Sequence, residues 1–158
     1  MAGHHDTPKL PTNGIEFLQA DHRKIAALFQ HYQAAQDRQT RLDIADQVCA
    51  ALERHAQLEE TVFYPALAEA AEMGESTLVE DARQDQQMIK DLITVLAEVH
   101  DTEFDTTFAE LLHTVQRHVE DEEQELFPQA ERLLADQLED LMDEMVALQQ
   151  QRTVATRR

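Results

Sequence analysis

Two copies of a His-x-x-x-Glu-Glu motif contain the residues of this chain best suited to binding a metal. The first copy runs from His55 to Glu60, and the second runs from His118 to Glu123, 63 residues later. Residues four apart on a helix differ by about 40° of rotation and roughly 6 Å of rise, so each His–Glu pair can reach one centre. The repeat therefore predicts two helical hairpins that direct imidazoles and carboxylates at one interior point.

A shorter repeat precedes each motif. Asp21-His22 recurs as Asp85-Gln86, 64 residues later. Each of these polar residues interrupts an apolar stripe with helical spacing, at a matching height in four predicted helices. The candidate metal-site residues are His22, His55, Glu59, Gln86, His118 and Glu122.

The interior position of these residues favours a metal over simpler explanations. A lone histidine in an apolar stripe is more often a hydrogen-bonded core residue than a ligand, and a buried glutamate can pair with Arg or Lys. No basic residue occupies these stripes between the candidate positions. An unpaired buried carboxylate would tend to take up a proton, whereas a divalent cation keeps it charged. The six positions together indicate a metal site.

The apolar periodicity predicts five helices. Capping residues mark the start of each predicted helix. A proline marks a kink or an early end in the second helix and another does so in the fourth helix. With three Gly and four Pro in 158 residues, the composition also favours helices over strands. The fold class expected is all-α, an antiparallel up-down-up-down four-helix bundle with an additional C-terminal helix. The predicted helices begin at Asn13, Thr40, Thr77, about Thr102 and Asp136, with Pro65 and Pro128 as the markers.

The chain is divided accordingly into a leader, a bundle and a tail. Residues 1–12 are predicted to be a disordered leader, residues 13–152 the bundle, and residues 153–158 a basic tail. Within the bundle, the metal-binding part covers 15–130 and the extra, purely structural helix about 134–151. Four residues outside the candidate set are expected at the surface or pointing elsewhere, namely His31, His100, His113 and Cys49.

Charge and cysteine content limit the partners and the compartment. The formal net charge of -19 argues against nucleic acid and against anionic membranes, which repel such a surface. No apolar run is long enough to cross a bilayer. One cysteine excludes an internal disulfide and no signal peptide precedes the first helix, so we expect a cytoplasmic protein. The partners expected are metal ions, and the sequence does not identify a protein partner.

Residues 15 to about 130 resemble a hemerythrin-like domain of the bacterial cation-binding type. That family has the order His, His-x-x-x-Glu, His, His-x-x-x-Glu, with Glu-Glu and an aromatic-Pro pair flanking. Both His-x-x-x-Glu-Glu motifs match here, as do Tyr64-Pro65, Phe127-Pro128 and Asp21-His22. Ferritin-like relatives differ, because their motif is Glu-x-x-His with additional glutamates.

The resemblance implies a carboxylate-bridged di-iron centre, with an oxo or hydroxo bridge, that binds dioxygen or handles peroxide, nitric oxide or iron itself. A small diatomic or peroxide ligand as a further partner and oxidative-stress chemistry belong to the same expectation. Carried over, His22 and His55 would ligate one metal and His118 the other. Glu59 and Glu122 would bridge the two. The donor types suit Fe or Mn, and ligand type alone also admits Zn.

Gln86 departs from the family pattern, which has histidine there. A glutamine offers only a neutral carbonyl oxygen, so the second site is expected to bind more weakly or to be more open. Three outcomes stay open: Gln86 coordinates through oxygen, a water or Asp85 fills the gap, or only the first site is occupied. Gln86 could also simply hydrogen-bond its neighbours.

Two classes of function follow from the sequence. The first is a non-haem di-iron protein that binds or reacts with dioxygen, peroxide or nitric oxide. If it is an enzyme, it is a peroxide- or oxygen-reactive oxidoreductase, and the missing donor favours reaction over pure oxygen carriage. The second is a non-catalytic iron sensor or iron-holding module, with one or both sites filled. A metal-free helical interaction protein would fit only the charge.

Overall fold

The computed structural model describes residues 9–156, apart from the side chains of Met73 and of residues 152–156. Residues 1–8 of the predicted leader and residues 157 and 158 of the predicted tail lie outside this range. Within it the chain is helical, and it contains no strand. The all-α prediction is therefore confirmed. The helices are α1 (Gly14–Ala34), α2 (Arg38–Leu58), α3 (Tyr64–Ala70), α4 (Met73–Leu96), α5 (Asp101–Asp121), α6 (Phe127–Leu133) and α7 (Leu138–Thr156).

These segments make four long rods and one added helix. The helix α2 continues into α3 through a π-helical turn, Glu59–Phe63, and α5 continues into α6 through another, Glu122–Leu126. The rods α1 and α2–α3 form one hairpin, and α4 and α5–α6 form the other. The predicted four-helix bundle with an extra C-terminal helix is what the chain forms.

Several helix starts differ from the predicted ones. Asn13 caps α1 as expected, because its Oδ1 accepts a 3.0 Å hydrogen bond from the Glu16 amide. The cap of α2 is Asp37 rather than Thr40, whose amide and hydroxyl both donate to the Asp37 carboxylate. An aspartate three residues earlier is an equally good cap.

The later starts are also shifted. The helix α4 begins at Met73, before the Thr77 that was expected to cap it. The helix α5 begins at Asp101. The last helix begins at Leu138, so Leu134 lies in the preceding turn, and it continues to Thr156 instead of giving way to a tail at residue 153.

Neither proline ends its helix. A proline has no N–H to donate four residues back, which ordinarily breaks the α-helical ladder. Here a π-helical turn comes just before each proline, with the Tyr64 amide bonded to the Glu59 carbonyl and the Phe127 amide bonded to the Glu122 carbonyl. Each wide turn therefore begins at a glutamate of the candidate site, which is where such turns often occur in functional helices.

The buried polar residues lie between two apolar clusters. One cluster includes Leu18, Leu58 and Leu126, together with residues of α3, α6 and α7. The other includes Ile25, Leu52 and Val115, toward the opposite end of the bundle. In each rod the polar residues follow one cluster in sequence and precede the other. The apolar clusters therefore exclude water from both ends of the polar layer.

The added helix α7 packs against α1 and covers one face of the first hairpin. Gly14 permits the close approach, because a Cβ at that position would lie 3.1 Å from the Leu141 Cβ. Leu141 and Met145 are buried in the same contact. This agrees with the structural role expected of the helix. None of the described helices combines the length and apolarity that crossing a membrane requires.

Candidate metal centre

All six residues selected from the sequence come together at mid-height in the bundle. Each is at most 4 % exposed. They project from four rods, as the repeat spacing predicted, because α1 and α4 carry one each while α2–α3 and α5–α6 carry a histidine and a glutamate each. The buried set is His22, His55, Glu59, Gln86, His118 and Glu122.

Four of these side chains form a compact donor group. One ligand atom from each of His22, His55, Glu59 and Glu122 lies within 4.8 Å of all the others. The Nε2 atoms of His22 and His55 are 3.1 Å apart. Two nitrogens bound to one ion at about 2.1 Å and at right angles would be about 3 Å apart, so this spacing fits two ligands of one ion.

The second side of the centre is less complete. His118 Nε2 lies 3.4 Å from Oε2 of Glu122 and 3.6 Å from Oε1 of Glu59. Gln86 donates from its amide nitrogen to Oε1 of Glu59 at 3.0 Å. In this arrangement the amide oxygen does not face the centre, and a flip of the amide would be needed to present it as a donor.

Tyr64 also belongs to this layer, and the sequence reasoning did not select it. Its hydroxyl donates to Oε2 of Glu122 at 2.5 Å and lies 3.3 Å from Oε1 of Glu59 and 3.4 Å from Nε2 of His118. Its counterpart in the repeat is Phe127, which stacks on His22. The chain thus has His22 with Phe127 on one side and Gln86 with Tyr64 on the other. Comparing the repeats position by position would have revealed this paired exchange.

Carboxylates outside the centre orient the imidazoles. Glu123 is 2.7 Å from Nδ1 of His22, and Asp21 is 3.1 Å from Nδ1 of His55. Asp85 is the counterpart near Nδ1 of His118, but at 3.7 Å it is too far for a hydrogen bond, and this nitrogen has no hydrogen-bond partner among the described residues. A carboxylate at Nδ1 holds the ring so that Nε2 points inward, which is a common arrangement around metal-bound histidines. These contacts account for Asp21 in the Asp-His motif and for Glu123 in the second Glu-Glu motif.

An unpartnered oxygen marks the middle of the centre. Glu59 is fully buried, and its Oε2 has no hydrogen-bond donor among the described residues. A buried carboxylate oxygen without a donor is costly, and a bound cation would satisfy it. Three imidazoles, two carboxylates and a phenol are donors that suit a first-row transition metal. The residues present therefore fit a metal ion.

The buried carboxylates of the centre raise the pKa values of its histidines. Burial alone would lower the pKa of His55, yet the Glu59 carboxylate and the hydrogen bond to Asp21 raise it to about 10. Burial likewise opposes the rise at His118, where Glu122 raises the pKa to about 11. Burial would raise the pKa of Glu59, but His55 and further hydrogen bonds hold it well below its usual value. Without metal, protonated His55 and His118 therefore supply the positive charge that a metal cation would otherwise supply to the buried carboxylates.

The tyrosine is held in its neutral form. Burial and the nearby Glu59 and Glu122 carboxylates raise the pKa of the Tyr64 phenol well above its ordinary value. Cys49 is half-buried away from the centre, and burial raises the pKa of its thiol to about 11, so it is a weak nucleophile. His31, His100 and His113 are exposed, as expected.

Comparison with known proteins gives three matches of the same kind. The profile of the hemerythrin HHE cation binding domain matches residues 13–130. An uncharacterized hemerythrin-like protein of Schizosaccharomyces pombe is 27% identical over 119 residues, which make up 74% of this chain and 59% of that protein. The chain thus spans less than two thirds of that relative.

A crystal structure gives the third match. It is that of a hemerythrin HHE cation binding domain-containing protein from Mycobacterium kansasii, and it superimposes with a TM-score of 0.76 at 22% sequence identity. The match covers 89% of this chain and 87% of that one. At this identity the likeness concerns the fold.

Proposed function

Because this chain belongs to the hemerythrin HHE cation-binding family, we propose that its buried polar layer holds two iron ions and binds or reacts with dioxygen, peroxide or nitric oxide. The observation that carries the proposal is the compact group formed by His22, His55, Glu59 and Glu122, with donor atoms within 4.8 Å of one another. Mn or Zn would fit the same donor types. The chemistry supplied by a bound iron pair is electron transfer to small oxygen or nitrogen compounds at open coordination positions.

The proposed roles of the residues follow their positions. His22 and His55 would hold the first ion and His118 the second, with Glu59 and Glu122 bridging them. Tyr64 is the nearest candidate for the donor that Gln86 does not supply, because its oxygen lies 3.4 Å from Nε2 of His118. To act as a ligand, Tyr64 would first have to release the proton that it donates to Glu122, and the resulting phenolate would be a stronger ligand than the carbonyl oxygen of an amide.

The surrounding residues would control the environment of the reaction. Glu123 and Asp21 fix the ring orientation of two histidines through Nδ1. In its protonated form, Tyr64 donates a hydrogen bond to Oε2 of Glu122 and so holds a proton beside the centre. The apolar clusters on either side keep bulk water away. These features favour reaction with peroxide or oxygen over simple carriage.

One observation supports a second candidate function, an iron-holding or iron-sensing module with one ion. The four donors of the compact group all belong to the proposed first site and its bridges, whereas His118 lies outside that group. In such a module, metal occupancy would stabilise the fold without further chemistry. A cytoplasmic location would suit both candidates, since the single thiol is half-buried and unpaired.

Anaerobic loading with ferrous iron distinguishes these functions. Iron bound per chain is counted first, and optical spectra are then recorded after separate additions of dioxygen, peroxide and nitric oxide. Two equivalents with spectral changes on these additions support the proposed function. One equivalent with a higher melting temperature and no spectral change supports the holding module. No retained iron contradicts both.

A further inference from the structure

Two cavities in the bundle are related by the internal repeat. The larger, about 610 Å³, lies between α1 and α5 and has His22 in its wall. The smaller, about 400 Å³, lies between α2 and α4. Each side of the larger cavity has a counterpart in the smaller one. Residues on α1 correspond to residues 64 positions later on α4, and residues on α5–α6 correspond to residues 63 positions earlier on α2–α3. The pairs that matter are Ala26 with Lys90, Phe29 with Ile93, and Glu123 with Glu60.

The two cavities differ in their access to the polar layer. The wall of the larger one contains His22 and Glu123. The wall of the smaller one, within the part of the chain that the structure describes, contains none of the six buried donors. Of this related pair, only the cavity between α1 and α5 therefore reaches a residue of the candidate metal centre, His22.

One difference between the repeats places an ion pair across the smaller cavity. Lys90 places its ammonium 2.5 Å from Oε1 of Glu60, across the cavity between α2 and α4. The equivalent position on α1 is Ala26, which has no side chain to cross the gap. Glu123, the counterpart of Glu60, is left to contact Nδ1 of His22 at 2.7 Å. A histidine at position 86 would be expected to contact Glu60, as His22 contacts Glu123. In this chain position 86 is glutamine, and Glu60 pairs with Lys90 instead.

The open cavity has a composition that favours uncharged molecules. Ile25, Phe29, Val115 and Val119 give it apolar walls, and glutamine amides lie along it. The carboxylate of Glu123 at the inner end, together with the formal net charge of -19, disfavours anions. A hydrated ion would lose favourable interactions with water along apolar walls, whereas a small neutral molecule would not.

We propose that the cavity between α1 and α5 is the route by which a small uncharged molecule reaches the metal centre, and that the Lys90–Glu60 ion pair closes the equivalent route. This rests on the proposed function, since it assumes a metal at the end of the route. A cleft of about 70 Å³, lined by His118 and Glu122, is the competing approach, and it is far smaller than the cavity between α1 and α5.

The first test measures the association rate of nitric oxide, an uncharged probe, with the ferrous-loaded protein by stopped-flow absorbance. Ala26→Leu adds apolar bulk to the open cavity without a charge and should slow association about tenfold. Ala27→Leu is the matched control, because Ala27 lines a different cavity, between α1 and α2. Its rate should equal that of the parent, with unchanged iron content in both variants.

The second test addresses the closed route. The double variant Ala26→Leu, Lys90→Ala should bind nitric oxide at least about threefold faster than Ala26→Leu alone, because loss of the lysine opens the counterpart cavity. Absence of recovery would overturn the assignment of Lys90 as the closing residue. An Ala26→Leu rate equal to that of the parent would overturn the route itself.

A structural readout does not depend on any reaction. Crystals of the loaded protein under xenon pressure should show xenon between Phe29 and Val115, and this site should be lost in Ala26→Leu. Xenon found only in the cleft beside His118 would assign the route to that cleft and contradict the proposal. Failure of the proposed function is recognised separately, because the parent would then retain no iron or would not bind nitric oxide.

Discussion

The hydroxyl of Tyr64 donates a 2.5 Å hydrogen bond to Oε2 of Glu122, on the side of the centre where Gln86 replaces the histidine found in the other repeat. The equivalent ring on the first side, Phe127, has no hydroxyl and stacks on His22. A phenol oxygen is therefore present on the side of the centre that has one imidazole, that of His118, instead of two.

Tyr64→Phe is expected to weaken binding of the second ion at least about tenfold while leaving the first ion in place, because it removes the phenol oxygen proposed to compensate for Gln86. Metal titration with a competing chelator measures the two affinities. Tyr32→Phe is the matched control, since Tyr32 is a buried tyrosine that stacks on Phe108, away from the centre. Equal second-site affinity in Tyr64→Phe and the parent would remove Tyr64 from the ligand set.

Gln86→His should raise the affinity of the second site, because it restores a strong nitrogen donor. Adding Lys90→Ala should raise it further, since Glu60 is then free to contact the introduced ring as Glu123 contacts His22. The same titration measures both steps. Lys90→Ala alone is the control and should leave affinity unchanged. An unchanged second-site affinity in the double variant would contradict the proposed equivalence of Glu60 and Glu123.

Glu123→Gln and Asp21→Asn should each weaken metal binding about 10–100-fold, because the imidazoles lose the carboxylates that orient them. The competing-chelator titration measures this loss. Glu75→Gln removes a carboxylate of similar size from an ion pair with Arg132 that lies away from the centre, and it provides the control. Equal effects in all three variants would show that the loss comes from charge alone and not from orientation.

The metal-free protein should lose stability as pH rises above neutrality. His55 and His118 have folded-state pKa values of about 10 and about 11, above the ordinary value of 6.5. Groups with raised pKa values stabilise the fold fully below their unfolded pKa, and this contribution disappears as pH rises through the folded values. The melting temperature of metal-free protein should therefore fall between pH 7 and about pH 11.

The iron-loaded protein is the control for this pH dependence. Metal ligation requires neutral imidazoles, so loading near pH 7 should release protons, which a pH indicator can detect. The loaded protein should then show a smaller fall in melting temperature over the same range. Identical pH profiles with and without metal would mean that the histidines and the metal do not share the same partners.

Most of the fold was predictable because its causes are periodic. The stripes that contain Leu18, Leu52 and Val115 are all buried, and the polar interruptions lie at one height, as the repeat required. Helix starts were less predictable, because several nearby residues can cap. Asp37 rather than Thr40 caps α2 for this reason. The π-helical turns left no sequence signal except the prolines that follow them.

The site was predictable where the repeats agree and less so where they differ. Each His-x-x-x-Glu pair could be placed from helical geometry alone. The position of the Tyr64 hydroxyl could not, because it depends on the extra residue in the π-helical turn before it. The Lys90–Glu60 contact joins two residues that are 30 positions apart and belong to different helical rods. Periodicity within one helix carries no information about such a contact.

The central claim is that Glu59 and Glu122 bridge bound metal ions in the interior of the bundle. Anomalous diffraction from crystals of the iron-loaded protein tests it most directly, using data on either side of the iron absorption edge. We expect two peaks, one beside His22 and His55 and one beside His118, with both glutamates between them. Interior side chains paired only with one another, and no anomalous density between them, would contradict the account.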